Sequence, residues 1–139
     1  TVTHTIATTR ISEMLAELKG INGQMAKYIH IGAMLHDVGK TGIPLEILES
    51  TGRLSPEDMA IMKTHIDMTN EILSGNVEES IRRIAVRHHE KLNGTGYPKN
   101  LPAEALTVPE RIVAVADILS ALFGAEGNKN PFPRTGVFA

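Results

Sequence analysis

Apolar residues recur along most of this chain at the three- and four-residue spacing of amphipathic helices. In the first segment, Thr3 to Leu18, the stripe is Ala7, Ile11, Met14, Leu15 and Leu18, with His4 one turn ahead of Ala7. Gly20 to Gly23 breaks it. A second helix is expected from Gln24 to about Val38, with Ile29, Ala33 and His36 along one stripe and Gly39 ending it. Pro44 to Leu48 reads as a short apolar turn whose proline suits a helix start. Ser55-Pro56-Glu57-Asp58 is a helix-start signature, with a hydroxyl cap, proline at the first helical position and acids in the first turn. The helix it opens carries Ile61, Met62, His65, Thr69 and Ile72 on one side. Asn76 or a neighbour begins the next, with Ile81, Ile84, Ala85, His88 and His89 in register. Gly94, Gly96 and Pro98 mark a loop. The last helix, Pro109 to about Phe123, aligns Val113, Asp117 and Ala121. No run alternates as a strand would. The pattern predicts an all-α bundle over residues 1–123. Residues 124–139, rich in Gly, Pro and Asn, read as an irregular tail, either cut short or mobile.

Composition narrows the chemistry. The 139 residues suit one domain with a real core. Lys and Arg number 14 against 16 Asp and Glu, and no basic block appears, which argues against binding a nucleic acid polymer. The absence of cysteine excludes disulfides and thiolate metal sites, leaving nitrogen and oxygen ligands. No apolar run approaches the roughly 20 residues that span a bilayer, and no signal peptide opens the chain. A cytoplasmic domain is expected. The chain starts at Thr1 rather than Met, so it reads as a piece of something longer.

Histidines then dominate the reading. His4, His36, His65, His88 and His89, with Asp37 and Asp117, fall on the apolar sides of five expected helices, where an unpaired polar group is costly. One such histidine is more often a satisfied core residue; this many together point to metal. Seven donors exceed one tetrahedral site and suit two ions with a bridging carboxylate. Asp37, beside His36 near a helix end, is the expected bridge. Mixed imidazole and carboxylate donors favour iron, manganese, nickel or zinc over magnesium or calcium. His30 stands about 10 Å from Asp37 at helical rise, too far to share an ion, and reads as a surface or partly buried histidine. Lys40 beside a cationic pair implies an anion between them, such as a substrate phosphate or leaving oxygen. In Gly94-Thr95-Gly96-Tyr97-Pro98, the glycines permit close backbone approach and Tyr97 offers a ring and a hydroxyl.

Two stretches carry a family resemblance. His36-Asp37-Val38-Gly39-Lys40, followed by Gly42-Ile43-Pro44, resembles the HD signature of metal-dependent phosphohydrolases in its HD-GYP form. His88-His89-Glu90-Lys91-Leu92-Asn93-Gly94-Thr95-Gly96-Tyr97-Pro98 resembles that form's second signature. Lys63-Thr64-His65 and Arg111 to Asp117 match two further landmarks in order. The resemblance runs from about His4 to Leu122. It implies a catalytic all-α domain with a two- or three-metal centre, often iron or manganese, that hydrolyses the bacterial messenger cyclic di-GMP to pGpG and in some members to GMP. A hydroxide held between two ions would attack phosphorus in line, and the ribose oxygen would leave. By motif match the metal ligands fall on His4, His36, Asp37, His65, His88, His89 and Asp117, with Asp37 and Lys40 as catalytic residues. Substrate contact is implied for Lys40, Gly96, Tyr97, Pro98 and, in the tail, Lys129. The family leaves room for a sensory or receiver domain upstream and for a homodimer.

Some positions depart from the family pattern. The glutamate that would hold a third ion falls before Thr1. Asn93 and Ser120 stand where aspartates are usual, and Glu126-Gly127-Asn128-Lys129 replaces an Arg-Pro-Tyr-Lys/Arg stretch. Two other readings follow: a cyclic dinucleotide-binding signalling module with weak turnover, and a phosphohydrolase for another phosphoester.

Overall fold

Helix α1 (Val2–Leu18) packs on its neighbour in sequence, α2 (Gly23–Leu35), and most extensively on the last helix, α7 (Val108–Ala125). Between them come α3 (Leu45–Leu48), α4 (Pro56–Lys63), α5 (His65–Leu73) and α6 (Glu79–Val86), with short 3-10 turns at Val38–Gly42 and Ala103–Ala105. The computed structural model describes residues 2–50 and 52–125; among these there is no strand, and no helix is long and apolar enough to cross a membrane. The all-α expectation holds.

Local signals account for several helix starts. Ser55 Oγ accepts the Asp58 amide at 3.1 Å, the expected cap of α4. Thr107 and Glu110 form a reciprocal capping box at α7: Glu110 Oε1 accepts the Thr107 amide at 3.2 Å, and Thr107 Oγ1 accepts the Glu110 amide at 3.4 Å. The core lies where α1, α2, α6 and α7 meet, in Ala16, Ile29, Ala33, Ile84, Ile112 and Val113.

Helix ends differ from the periodicity reading in ways that matter for the site. Helix α2 stops at Leu35, not Val38, so His36 and Asp37 sit in the turn beyond it. The single helix expected from residue 56 to Ile72 breaks at Thr64, whose amide bonds back to Ile61 at 3.0 Å. The apolar stripe does not carry through that break: Ile61 and Ile72 are exposed, while α5 buries His65, Ile66, Thr69 and Leu73. Helix α6 starts at Glu79 rather than near Asn76, capped by Glu78, and ends at Val86, leaving His88 and His89 in the following turn. On α7 the buried residue after Asp117 is Ser120 rather than Ala121. Five separate helices therefore do not present the site. Only His4, His65 and Asp117 are helical.

Candidate metal centre

A helix leaves its last carbonyls without internal partners, and three histidines use such carbonyls here. His36, His65 and His88 each follow a helix end by one or two residues. Their Nδ1 atoms lie 2.6 Å from the carbonyl oxygens of Ala33, Met62 and Ala85, three residues back in every case. A carbonyl can only accept, so each Nδ1 carries a proton, and each Nε2 is the nitrogen turned inward.

What those nitrogens face is Asp37. Its Oδ1 lies 3.5 Å from Nε2 of both His65 and His88, and its Oδ2 lies 3.2 Å from Nε2 of His36 and 3.9 Å from Nε2 of His4. Asp117 closes the second side, with Oδ1 2.7 Å from Nε2 of His4 and 3.2 Å from Nε2 of His36. Two groups of donors result, His4–His36–Asp37–Asp117 and His65–His88–His89, each with its donor atoms within 4.8 Å of one another. Both Asp37 oxygens and the Nε2 atoms of His65 and His88 are buried with no hydrogen bond of good geometry. Buried groups of this kind are rarely left unpaired. The inward nitrogens of His65 and His88 and the carboxylate oxygens converging on them suit divalent cations, so the residues fit the metal that the histidine pattern implied.

Electrostatics agree. Burial alone would lower His36, but its contacts with Asp117 and Asp37 outweigh this and raise it to about 10. Burial would raise Asp37, yet His36 and His88 hold it well below the usual carboxylate range, and Asp117 is depressed in the same way by His36 and His4. His89 drops to about 3, through burial and then the neighbouring His88. His65 also falls, chiefly through burial. Burial thus favours neutral His65 and His89 on one side, while His36, Asp37 and Asp117 hold charge together on the other.

Two close approaches keep the loops in place. A Cβ at Gly39 would run into the His65 carbonyl and the Thr69 backbone, so only glycine lets the His-Asp turn seat on α5. There the Gly39 amide donates to Thr69 Oγ1 at 2.9 Å, and that hydroxyl donates to the His65 carbonyl at 2.8 Å. A Cβ at Gly96 would meet the backbone of residues 89–91, over which the Tyr97 amide bonds to the His89 carbonyl at 3.1 Å. Tyr97 consequently stacks on His89, with centroids 4.8 Å apart and planes 16° from parallel, and the Lys63 ammonium lies 4.8 Å over the Tyr97 ring. Burial raises the Tyr97 hydroxyl to about 12. Pro98 follows, exposed, and Lys40 Nζ stands 3.1 Å from Asp37 Oδ2 at the edge of the cluster, half-buried.

The seven expected donors are therefore brought together, with Lys40, Gly96 and Tyr97 around them. Lys129 and the rest of the Glu126–Lys129 stretch lie outside the described residues. His30 pairs with Glu13 on the surface, away from the cluster. Two residues carry roles that periodicity could not supply. Glu90, buried, accepts the Lys99 and Leu101 amides at 2.8 and 2.9 Å and so braces the loop. Ser120 contacts His4.

This fold and donor set define a member of a known class: the chain belongs to the HD domain family, whose profile matches residues 2–136, and it takes the HD-GYP form. Among similar structures is Bd1817, a HDG"Y"P protein from Bdellovibrio bacteriovorus, at 28% identity and a TM-score of 0.80 over 94% of this chain and 44% of that one. The cyclic di-GMP phosphodiesterase response regulator RpfG of Xanthomonas campestris pv. campestris is 37% identical over 93% of this chain. The 3'3'-cGAMP-specific phosphodiesterase 2 of Vibrio cholerae serotype O1 is 37% identical over 86%. The chain spans 35% of the first relative's length and 24% of the second's.

Proposed function

We propose that this domain is a metal-dependent phosphodiesterase that opens a cyclic dinucleotide, with cyclic di-GMP the leading substrate and linear pGpG the product. The observation that carries it is the position of Asp37, one oxygen toward His65 and His88 and the other toward His36. In this reading His4, His36 and Asp117 would hold one ion and His65, His88 and His89 a second, with Asp37 placed to serve both. Iron or manganese is the expected pair, with zinc or nickel as substitutes. When bound, the ions supply Lewis acidity to the phosphoryl oxygens and acidify water. The chain's own part is to place the ligand. Lys40 can leave Asp37 for a phosphate oxygen, and Gly96, Tyr97 and Pro98 form the wall beside His89 against which the dinucleotide lies. Hydrolysis adds the oxygen of water to phosphorus, breaks the bond from phosphorus to the ribose oxygen and returns a proton to that oxygen.

The relatives named above act on cyclic di-GMP and on 3'3'-cGAMP, which supports the substrate class and leaves the base preference to the assay. RpfG is named a response regulator and is much longer than this chain, which supports a receiver or sensory domain alongside this one.

The test is chromatography of products from protein purified without oxygen and loaded with manganese or iron. We expect a linear dinucleotide from cyclic di-GMP, and its loss in Asp37→Ala. Fully loaded protein that cuts neither cyclic di-GMP nor 3'3'-cGAMP would overturn the reading, as would an Asp37→Ala variant as fast as the unaltered chain.

A further inference from the structure

Lys63 is the last residue of α4, just before the break at Thr64 and the histidine that opens α5. Its ammonium lies 4.8 Å from the centroid of the Tyr97 ring, and that ring stacks in turn on His89 with centroids 4.8 Å apart. Lysine, aromatic ring and histidine thus form one run at the His65–His88–His89 side of the site.

A lysine that ends a helix has an ordinary explanation, since a cation there complements the helix dipole. That accounts for the charge but not for its place on the ring. An exposed ammonium on a helix commonly settles on a carboxylate one turn away. One turn back from Lys63 are Met59 and Ala60, and Asp67, one turn on, lies past the helix break. Among the described residues no carboxylate lies within ion-pair distance of Lys63. Lys40 differs, with its ammonium already 3.1 Å from Asp37 Oδ2. An aromatic face attracts a cation without neutralising it, so Lys63 keeps its full charge for an anion.

A cyclic dinucleotide carries two phosphates, and only one of them is under attack at a time. Lys40 and the ions serve that one in the reading above. We propose that Lys63 binds the second, uncut phosphate, reaching it on its flexible stem from the Tyr97 ring. Tyr97 then has two uses, as a wall for the ligand and as a platform for the cation that meets it. The inference rests on the phosphodiesterase reading.

The test compares Lys63→Met and Lys63→Arg with the unaltered chain, all loaded with manganese and checked for melting temperature and metal content. Cyclic di-GMP is one substrate; bis(p-nitrophenyl) phosphate, a diester with a single phosphate, is the other. Lys63→Met keeps an unbranched side chain and removes the charge. We expect it to raise KM for cyclic di-GMP about 10-fold with kcat little changed, the signature of lost ground-state binding. The ratio of kcat/KM on cyclic di-GMP to that on bis(p-nitrophenyl) phosphate should fall by the same factor. Lys63→Arg keeps both the charge and the ring contact and should keep KM. Calorimetric binding of the bis-phosphorothioate analogue of cyclic di-GMP, whose sulfur atoms slow hydrolysis, should weaken in Lys63→Met and hold in Lys63→Arg. An unchanged KM in Lys63→Met, an equal loss on both substrates, or loss of metal from that variant would overturn the role of Lys63 and leave the phosphodiesterase reading intact. An unaltered chain that cuts bis(p-nitrophenyl) phosphate but no cyclic dinucleotide would overturn that reading and the inference with it.

Discussion

Nε2 of His88 lies 3.5 Å from Oδ1 of Asp37, and neither atom has a hydrogen bond of good geometry. Nε2 of His65 meets the same oxygen at the same distance. Three buried lone-pair carriers face one another with nothing to bind, which costs free energy in a protein interior. Such an arrangement is stable when a cation fills it.

Metal should accordingly stabilise the fold. An ion that binds only the folded chain adds about 2.7 kcal/mol at a free concentration 100 times its Kd. We expect the melting temperature to rise with manganese and to fall with a chelator in scanning calorimetry. A midpoint indifferent to both would count against a metal site.

Loading should also release protons. His36 is raised from 6.5 to about 10, so its charge-dependent stabilisation of the metal-free fold is fully present below about pH 6.5 and lost as pH rises through about 10. An imidazole must be neutral to bind an ion. Near neutral pH the ion therefore displaces the His36 proton, and affinity should strengthen as pH rises toward 10. Calorimetry in buffers of different ionisation enthalpy should show release of roughly one proton from this group. Heats independent of buffer would contradict the assignment.

Thr69→Val keeps the shape of the side chain and removes its hydroxyl. The Gly39 amide and the His65 carbonyl both lose a buried partner, costing about 1–3 kcal/mol in urea denaturation. Because that hydroxyl ties the His-Asp turn to α5, metal affinity should fall as well, by about 10-fold. A variant as stable as the unaltered chain would show that water replaces the hydroxyl without loss.

Glu90→Gln tests the brace behind the Gly-Tyr-Pro loop. The amide offers one acceptor where the carboxylate offers two, so either the Lys99 or the Leu101 amide is left unpaired. We expect about 1–3 kcal/mol of lost stability and faster proteolytic cleavage within residues 94–101. Equal cleavage rates would remove Glu90 from this role.

Much of the site was legible because its donors are rare residue types at apolar positions, and that pattern survives errors in helix length. The apolar periodicity places His36 and Asp37 at the end of a helix, whereas Leu35 is its last residue. Gly39 reads from the sequence as a helix stop; in the structure it makes room for α5 rather than capping α2. The break at Thr64 has no proline or glycine to announce it, so the stripe from Ile61 to Ile72 looked continuous. Glu90 and Ser120 were beyond periodicity altogether. Their partners come from a loop and from α1, and only tertiary contact brings those within reach.

The bridging place of Asp37 is open to electron paramagnetic resonance on protein reconstituted with manganese(II) in the absence of oxygen. Two ions sharing one carboxylate should give an exchange-coupled signal at a stoichiometry of two per chain, and Asp37→Ala should abolish the coupling. Two isolated manganese signals in the unaltered protein, or coupling that persists without the Asp37 carboxylate, would contradict the shared site.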